Sequence, residues 1–122
     1  MILADTSIWI DHLRFGDKDL QRLLNQRQVL MHPFIVAELA LGFLRDRSKN
    51  IGLLDLLPQS QVAHISEVRH LIETRRLYTV GIGLIEAHLI ASVFVHPGAV
   101  LWTRDKPLRK AAETLGIHAA LP

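Results

Sequence analysis

In M-I-L-A-D-T-S-I-W, residues 1–9, an apolar run ends on an acid. Ile2-Leu3-Ala4 is short and wholly apolar, so it reads as a buried strand. It stops at Asp5-Thr6-Ser7, where Thr6 or Ser7 can cap a helix that turns Ile8, Trp9 and Leu13 inward. A buried strand that hands over to a helix is the first half of an α/β unit. In open sheets of that kind, sites form outside the carboxyl ends of the strands. Asp5 stands at such an end, although an acid there also suits a plain helix cap.

The same alternation continues along the chain. Gly16 suits a helix C-terminus, and a second helix from about Lys18 turns Leu20, Leu23 and Leu24 inward. Val29-Leu30-Met31 reads as the next strand. Pro33 opens a helix, where its missing N–H does no harm, and that helix carries Ile35, Val36, Leu39, Leu41 and Phe43. Residues 51–57 form a Leu-rich helix ended by Pro58, and Val62-Ala63 reads as a short strand. Ser66 opens a helix through Leu71, Ile72 and Leu77. Gly81 and Gly83 turn the chain into the helix G-L-I-E-A-H-L-I-A-S, residues 83–92, which Pro97-Gly98 ends. Val100-Leu101-Trp102 is a strand, Asp105 to Leu115 an amphipathic helix, and Ile117 to Leu121 a last strand. Short apolar strands between helices mean α/β with a central, mostly parallel sheet.

The 122 residues fit one domain spanning 1–122, with 49% hydrophobic residues and enough length for a core. No apolar run is long enough to span a bilayer, and the N-terminus lacks the basic region of a signal peptide. With no cysteine, disulfides and thiolate metal sites are excluded. A cytoplasmic location is the default expectation. The net charge of +2 does not by itself argue for nucleic acid, but setting four acids aside around a metal leaves the remaining surface at +6, which suits a polyanion.

Four acids fall at informative places. Asp5 and Asp105 each follow a strand. Glu38 shares a helix face with Leu41, Gly42 and Arg45, so pairing with Arg45 is its simpler explanation. Glu86 lies on the apolar stripe of Leu89, Ile90 and Val93, where an unpaired charge costs several kcal/mol. Parallel strands would bring all four to one sheet edge. Carboxylates so gathered repel unless a cation neutralises them, and Mg²⁺ or Mn²⁺ is the hard ion that oxygen ligands favour.

The order of these segments resembles the PIN-domain family, and within it the VapC-type ribonuclease toxins of bacterial toxin–antitoxin modules. The resemblance rests on Asp-Thr-Ser after an N-terminal strand, Glu in A-E-L-x-x-G, an acid before A-H-L-x-A-S, and T-R-D after a late strand. It spans nearly the whole chain. It implies a PIN-like α/β/α sandwich and a metal-dependent endoribonuclease using Mg²⁺ or Mn²⁺. The implied substrate is structured cellular RNA, in particular transfer RNA, with loss of translation and growth as the result. It also implies a homodimer and a VapB-like antitoxin whose C-terminal segment covers the site. The family's acids map to Asp5, Glu38, Glu86 and Asp105 as catalytic and metal-holding residues, and its site hydroxyls to Thr6 or Ser7 and to Thr103. Members usually have Asp where this chain has Glu86, which opens an alternative: a catalytically impaired module that binds RNA or a partner.

Arg104, beside Asp105, is the first candidate for an RNA phosphate contact. The seven histidines lack metal-ligand spacing and read as structural. Trp9 and Trp102 read as core. G-I-G at 81–83 lacks the third glycine of a dinucleotide fingerprint.

Overall fold

The computed structural model describes residues 1–122. A three-stranded parallel sheet lies at its centre, in the order β2-β1-β3, with β1 Ile2–Ala4, β2 Val29–Leu30 and β3 Val100–Trp102. The register sets Leu3 beside Leu30 on one side and Leu101 on the other, and Ala4 beside Trp102. Seven helices accompany the strands: α1 Thr6–Phe15, α2 Lys18–Asn25, α3 Pro33–Leu41, α4 Arg47–Asp55, α5 Ile65–Thr74, α6 Leu84–Val95 and α7 Lys106–Thr114. A single 3-10 turn covers Leu77–Thr79. This is the α/β arrangement expected of a PIN-like fold. No helix is long and apolar enough to cross a membrane.

The central strand has neighbours on both sides, and on it Leu3 and Ala4 are fully buried while Ile2 is partly so. Leu3, Leu101 and Trp102 are fully buried, and with Ile8, Leu20, Leu30, Ile35, Leu89, Ile90 and Leu108 they make the main core. Each such side chain contributes about 1.5–3 kcal/mol by leaving water. Trp9 and Trp102 are both in this core. Because β1 and β3 run parallel and adjacent, the residues after each emerge at the same edge of the sheet. The backbone N–H of Asp5 continues the ladder by donating to the Trp102 carbonyl at 3.0 Å.

Several sequence expectations are corrected. The cap of α1 is Asp5 itself, whose carboxylate accepts from the Ser7 N–H, so neither Thr6 nor Ser7 caps that helix. Leu13 is partly exposed, while Leu41 and Phe43 are 90% and 99% exposed. The last two stand out because α3 ends at Leu41 and the chain leaves the core at Gly42. The Leu-rich helix begins at Arg47, earlier than residue 51, and buries only Leu54. No strand forms at 62–63 or 117–121. The sheet is extended there only by isolated bridges, Met31 with Gln59 and Leu101 with His118.

Candidate active site

Asp5 is built into the structure more firmly than any other acid. Its side chain is almost fully buried. Oδ1 accepts from the backbone N–H of Ser7 at 2.9 Å and from the Ser7 hydroxyl, while Oδ2 accepts from the Thr103 hydroxyl at 2.6 Å. The hydroxyl directions are fixed by their other partners. Ser7 Oγ accepts from the Arg104 N–H at 3.0 Å, and Thr103 Oγ1 accepts from the Asp105 N–H at 3.0 Å. Each hydroxyl therefore spends its proton on Asp5. Oδ1 has both lone pairs engaged, and Oδ2 keeps one open. Burial pushes the Asp5 carboxyl above the ordinary carboxylate value, against the pull of these donors.

Glu38, on α3, is half-buried. Its carboxyl is raised first by burial and then by the charges of Glu86 and Asp5. Glu38 therefore feels the charges of both other acids. Glu38 does not pair with Arg45, which lies beyond the end of α3, and no Lys, Arg or His forms a salt bridge with Asp5, Glu38 or Glu86. Glu86 is in the first turn of α6, where the helix N-terminus favours negative charge. Its side chain curls back over Gly83: a Cβ at that glycine would lie 2.9 Å from Glu86 Oε2.

Asp105 is exposed and caps α7, with Oδ2 accepting from the Leu108 N–H at 3.1 Å. It joins the cluster through Thr103 but is not among the charges that shift Glu38. Thr6 lines the groove next to Glu38. The structure thus sets Asp5 and Glu86 near enough to Glu38 for their charges to raise it, ties Ser7, Thr103 and the Asp105 backbone to Asp5 by hydrogen bonds, and sets Thr6 at the rim.

The donor set tests well for a hard cation in one respect and less well in another. Crowded carboxylate oxygens with no cationic partner are the chemistry that Mg²⁺ or Mn²⁺ satisfies. As placed, however, no three His, Asp or Glu side chains stand close enough to hold a metal ion. The two observations describe different things. Charges interact over longer distances than ligands bond, so repulsion among the acids is compatible with side chains that must turn inward around an ion. Glu38 and Glu86 are both half-buried, so neither carboxylate is sealed from solvent.

Arg104 is engaged elsewhere. Its guanidinium donates to Asp11 Oδ2 at 2.8 Å, to Asp17 Oδ2 at 2.6 Å and to the Pro122 carbonyl at 2.9 Å, and it lies 5.4 Å above the Trp102 ring. Burial pushes the Asp17 carboxyl up, but the Leu20 N–H and Arg104 outweigh it and hold it below the ordinary value. An RNA contact by Arg104 would require it to leave these carboxylates. Asp11 and Asp17 carry no signal in the sequence, since nothing there says that an arginine far along the chain returns to them.

A second polar group, also unforeseen, lies between α3 and α6. His32 is fully buried and caps α3: Nδ1 accepts from the Phe34 N–H at 3.0 Å, so Nε2 carries the proton and faces Ser92 Oγ at 3.0 Å. Phe34 packs edge-on against both His32 and His88. Burial, then the nearby His88, lowers the His32 pKa to about 4, so it is neutral at physiological pH. The P-F dipeptide after His32 hinted at a helix start, but nothing near it pointed to Ser92.

Residues 2–114 match the model of the PIN domain. The chain is also 43% identical over 120 residues to a Mycobacterium tuberculosis protein named ribonuclease VapC32, in strains CDC 1551 and H37Rv. The alignment covers 98% of this chain and 97% of that relative. With a parallel sheet that delivers acids from two adjacent strand ends, the chain belongs to the PIN-domain family, in its VapC branch.

Proposed function

We propose that this protein is a metal-dependent endoribonuclease and the toxin of a VapBC-type toxin–antitoxin module. The observation that carries the reading is that Glu38 feels the charges of both Asp5 and Glu86, while no cationic side chain forms a salt bridge with any of the three. Structural acids are usually paired, whereas unrelieved ones suit a site that awaits a cation. The mycobacterial relative is named a ribonuclease, which agrees with it.

In this reading Asp5, Glu38, Glu86 and Asp105 hold Mg²⁺ or Mn²⁺. A bound divalent ion supplies an acidified water and charge stabilisation at a phosphodiester. The chain's own part is positioning. Ser7 and Thr103 fix the Asp5 carboxylate by hydrogen bonds to both of its oxygens. Glu38 and Glu86 would supply further carboxylates to a bound ion, and Thr6 lines the approach. Residues 1–122 act as one functional unit, and as a homodimer. The substrate is structured RNA, transfer RNA first among candidates, and its cleavage stops translation and growth.

A VapB-like antitoxin fits the apolar groove beside the site. Ile10, Leu13, Leu39, Phe43 and Leu44 line it, and it opens onto Thr6 and Glu38. An antitoxin segment laid there would both hide exposed Phe43 and reach the acids.

The test is incubation of the antitoxin-free protein with total cellular RNA, with Mg²⁺, with Mn²⁺ and with chelator, followed by sequencing of new 5′ ends. The expected result is discrete cuts that need metal and vanish in Asp5→Ala. Folded protein that makes no cuts would favour a second reading, a binding module without catalysis. What favours that reading now is that the acids, with Glu86 curled over Gly83, do not yet converge.

A further inference from the structure

We infer that Arg104 is a positioning residue: its guanidinium, held by Asp11 and Asp17, locks the Thr103–Asp105 turn against Asp5 and Ser7 instead of meeting RNA phosphate. This rests on the nuclease reading above and deepens it.

The geometry makes one connected path. Asp11 lies on α1, and Asp17 caps α2 with Oδ1 accepting from the Leu20 N–H at 2.9 Å. Each gives its Oδ2 to a different terminal nitrogen of Arg104. One side chain thereby joins two helices to the turn after β3. The Arg104 N–H then donates to Ser7 Oγ, which commits the Ser7 proton to Asp5. The next residue, Asp105, donates to Thr103 Oγ1 and commits the Thr103 proton to the other oxygen of Asp5. If the turn shifts, both hydroxyls lose their direction at once.

Electrostatics argue the same way. One guanidinium between two carboxylates leaves a local charge of −1, which repels phosphate. The pair with Asp17 is not a loose surface pair, for the Arg104 side chain is 28% exposed and that of Asp17 only 12%, while Asp11 is the more exposed partner at 47%. A fork that meets two carboxylates, with an aromatic ring beneath it, suits arginine and not lysine.

The experiment compares Arg104→Ala and the double variant Asp11→Asn with Asp17→Asn against the unsubstituted protein. Mn²⁺ affinity is measured without RNA. Binding of total transfer RNA is measured in chelator across a salt series. Amide exchange is followed at Arg104 and Asp105, and cleavage of total RNA is scored in parallel. The double variant keeps the arginine, so it separates the lock from a phosphate contact.

The expected result is that both variants lose about 10–100-fold in Mn²⁺ affinity and cleavage, as outer partners of metal ligands do. Their two amides exchange faster, and in Arg104→Ala the salt slope of RNA binding in chelator stays as it was. A salt slope reduced by about one in Arg104→Ala overturns the inference and makes Arg104 a phosphate contact. Unchanged exchange at both amides in both variants also overturns it. Unsubstituted protein that binds no Mn²⁺ and makes no cuts sinks the nuclease reading instead, and the amides still decide whether the lock exists.

Discussion

Helices α3 and α6 face each other through two polar patches that have opposite characters. At one, His32 meets Ser92; at the other, Glu38 feels Glu86. On each helix the two positions are six residues apart, in opposite directions along the chain, with Phe34 against His88 between them. The patches are therefore about 9 Å apart along an antiparallel pair, at 1.5 Å per residue. In the first, burial is met by bonding: both ring nitrogens of His32 have partners and the ring stays neutral, although His88 Nδ1 beside it has none. In the second, Glu38 has no ion pair to meet its burial, and only the N-terminus of α6 favours the charge of Glu86. Polar groups that answer each other hold two helices in register; groups of like charge facing each other do not.

The largest effect that could break this contrast is at the acid patch. Asp5→Ala should cut metal-dependent RNA cleavage by more than about 100-fold, beyond the loss typical of an outer partner, while a cooperative melting transition survives. Full activity in that folded variant would remove Asp5 from the site. Next comes pH. His32 protonates in the unfolded chain near 6.5 but in the folded chain only near about 4, so its contribution to stability is lost as pH falls through that window. The loss is on the order of 3 kcal/mol, and His32→Asn, which can still cap α3, should flatten it in a series of melting curves.

The acid patch has the opposite sign. Asp5 and Glu38 are raised, so metal-free protein gains stability as pH falls through their folded values toward the ordinary carboxylate values of 3.8 and 4.5. Glu38→Gln should abolish part of that gain, and saturating Mn²⁺ should mask it. A Glu38→Gln melting profile that parallels the unsubstituted protein at every pH would contradict the crowding. A smaller loss follows for Ser92→Ala, which strands a buried His32 N–H at about 1–3 kcal/mol. Chemical denaturation would measure it, and a neutral outcome would mean that the histidine patch does not pin the helices.

What the sequence shows of this contrast depends on whether a residue's meaning is local. Asp5, Glu38 and Glu86 were legible because each breaks an apolar pattern that strand or helix periodicity had already established. The strands Ile2–Ala4 and Val100–Trp102 were legible for the same reason, bounded by an acid or by Pro-Gly. His32 with Ser92, and Arg104 with Asp11 and Asp17, were not, because each half is unremarkable until the fold joins it to the other. The expected strand at 117–121 failed on strength: one bridge to Leu101 is all that the edge of β3 offers. Leu41 and Phe43 looked like core because hydrophobicity says that a side chain leaves water, but not whether it does so within its own chain.

Gly83 sets a condition on what residue 86 can be. A methyl group there would sit 2.9 Å from Glu86 Oε2, so Gly83→Ala should force the carboxylate out of its present position. An Asp at 86 is one carbon shorter. Gly83 and Glu86 are in this sense a matched pair, a long arm and the notch in which it rests. An engineer who shortens the arm no longer needs the notch, and one who fills the notch changes where the arm can be parked. The glycine then acts as a dial on a resting state, one that can be turned without changing any of the acids.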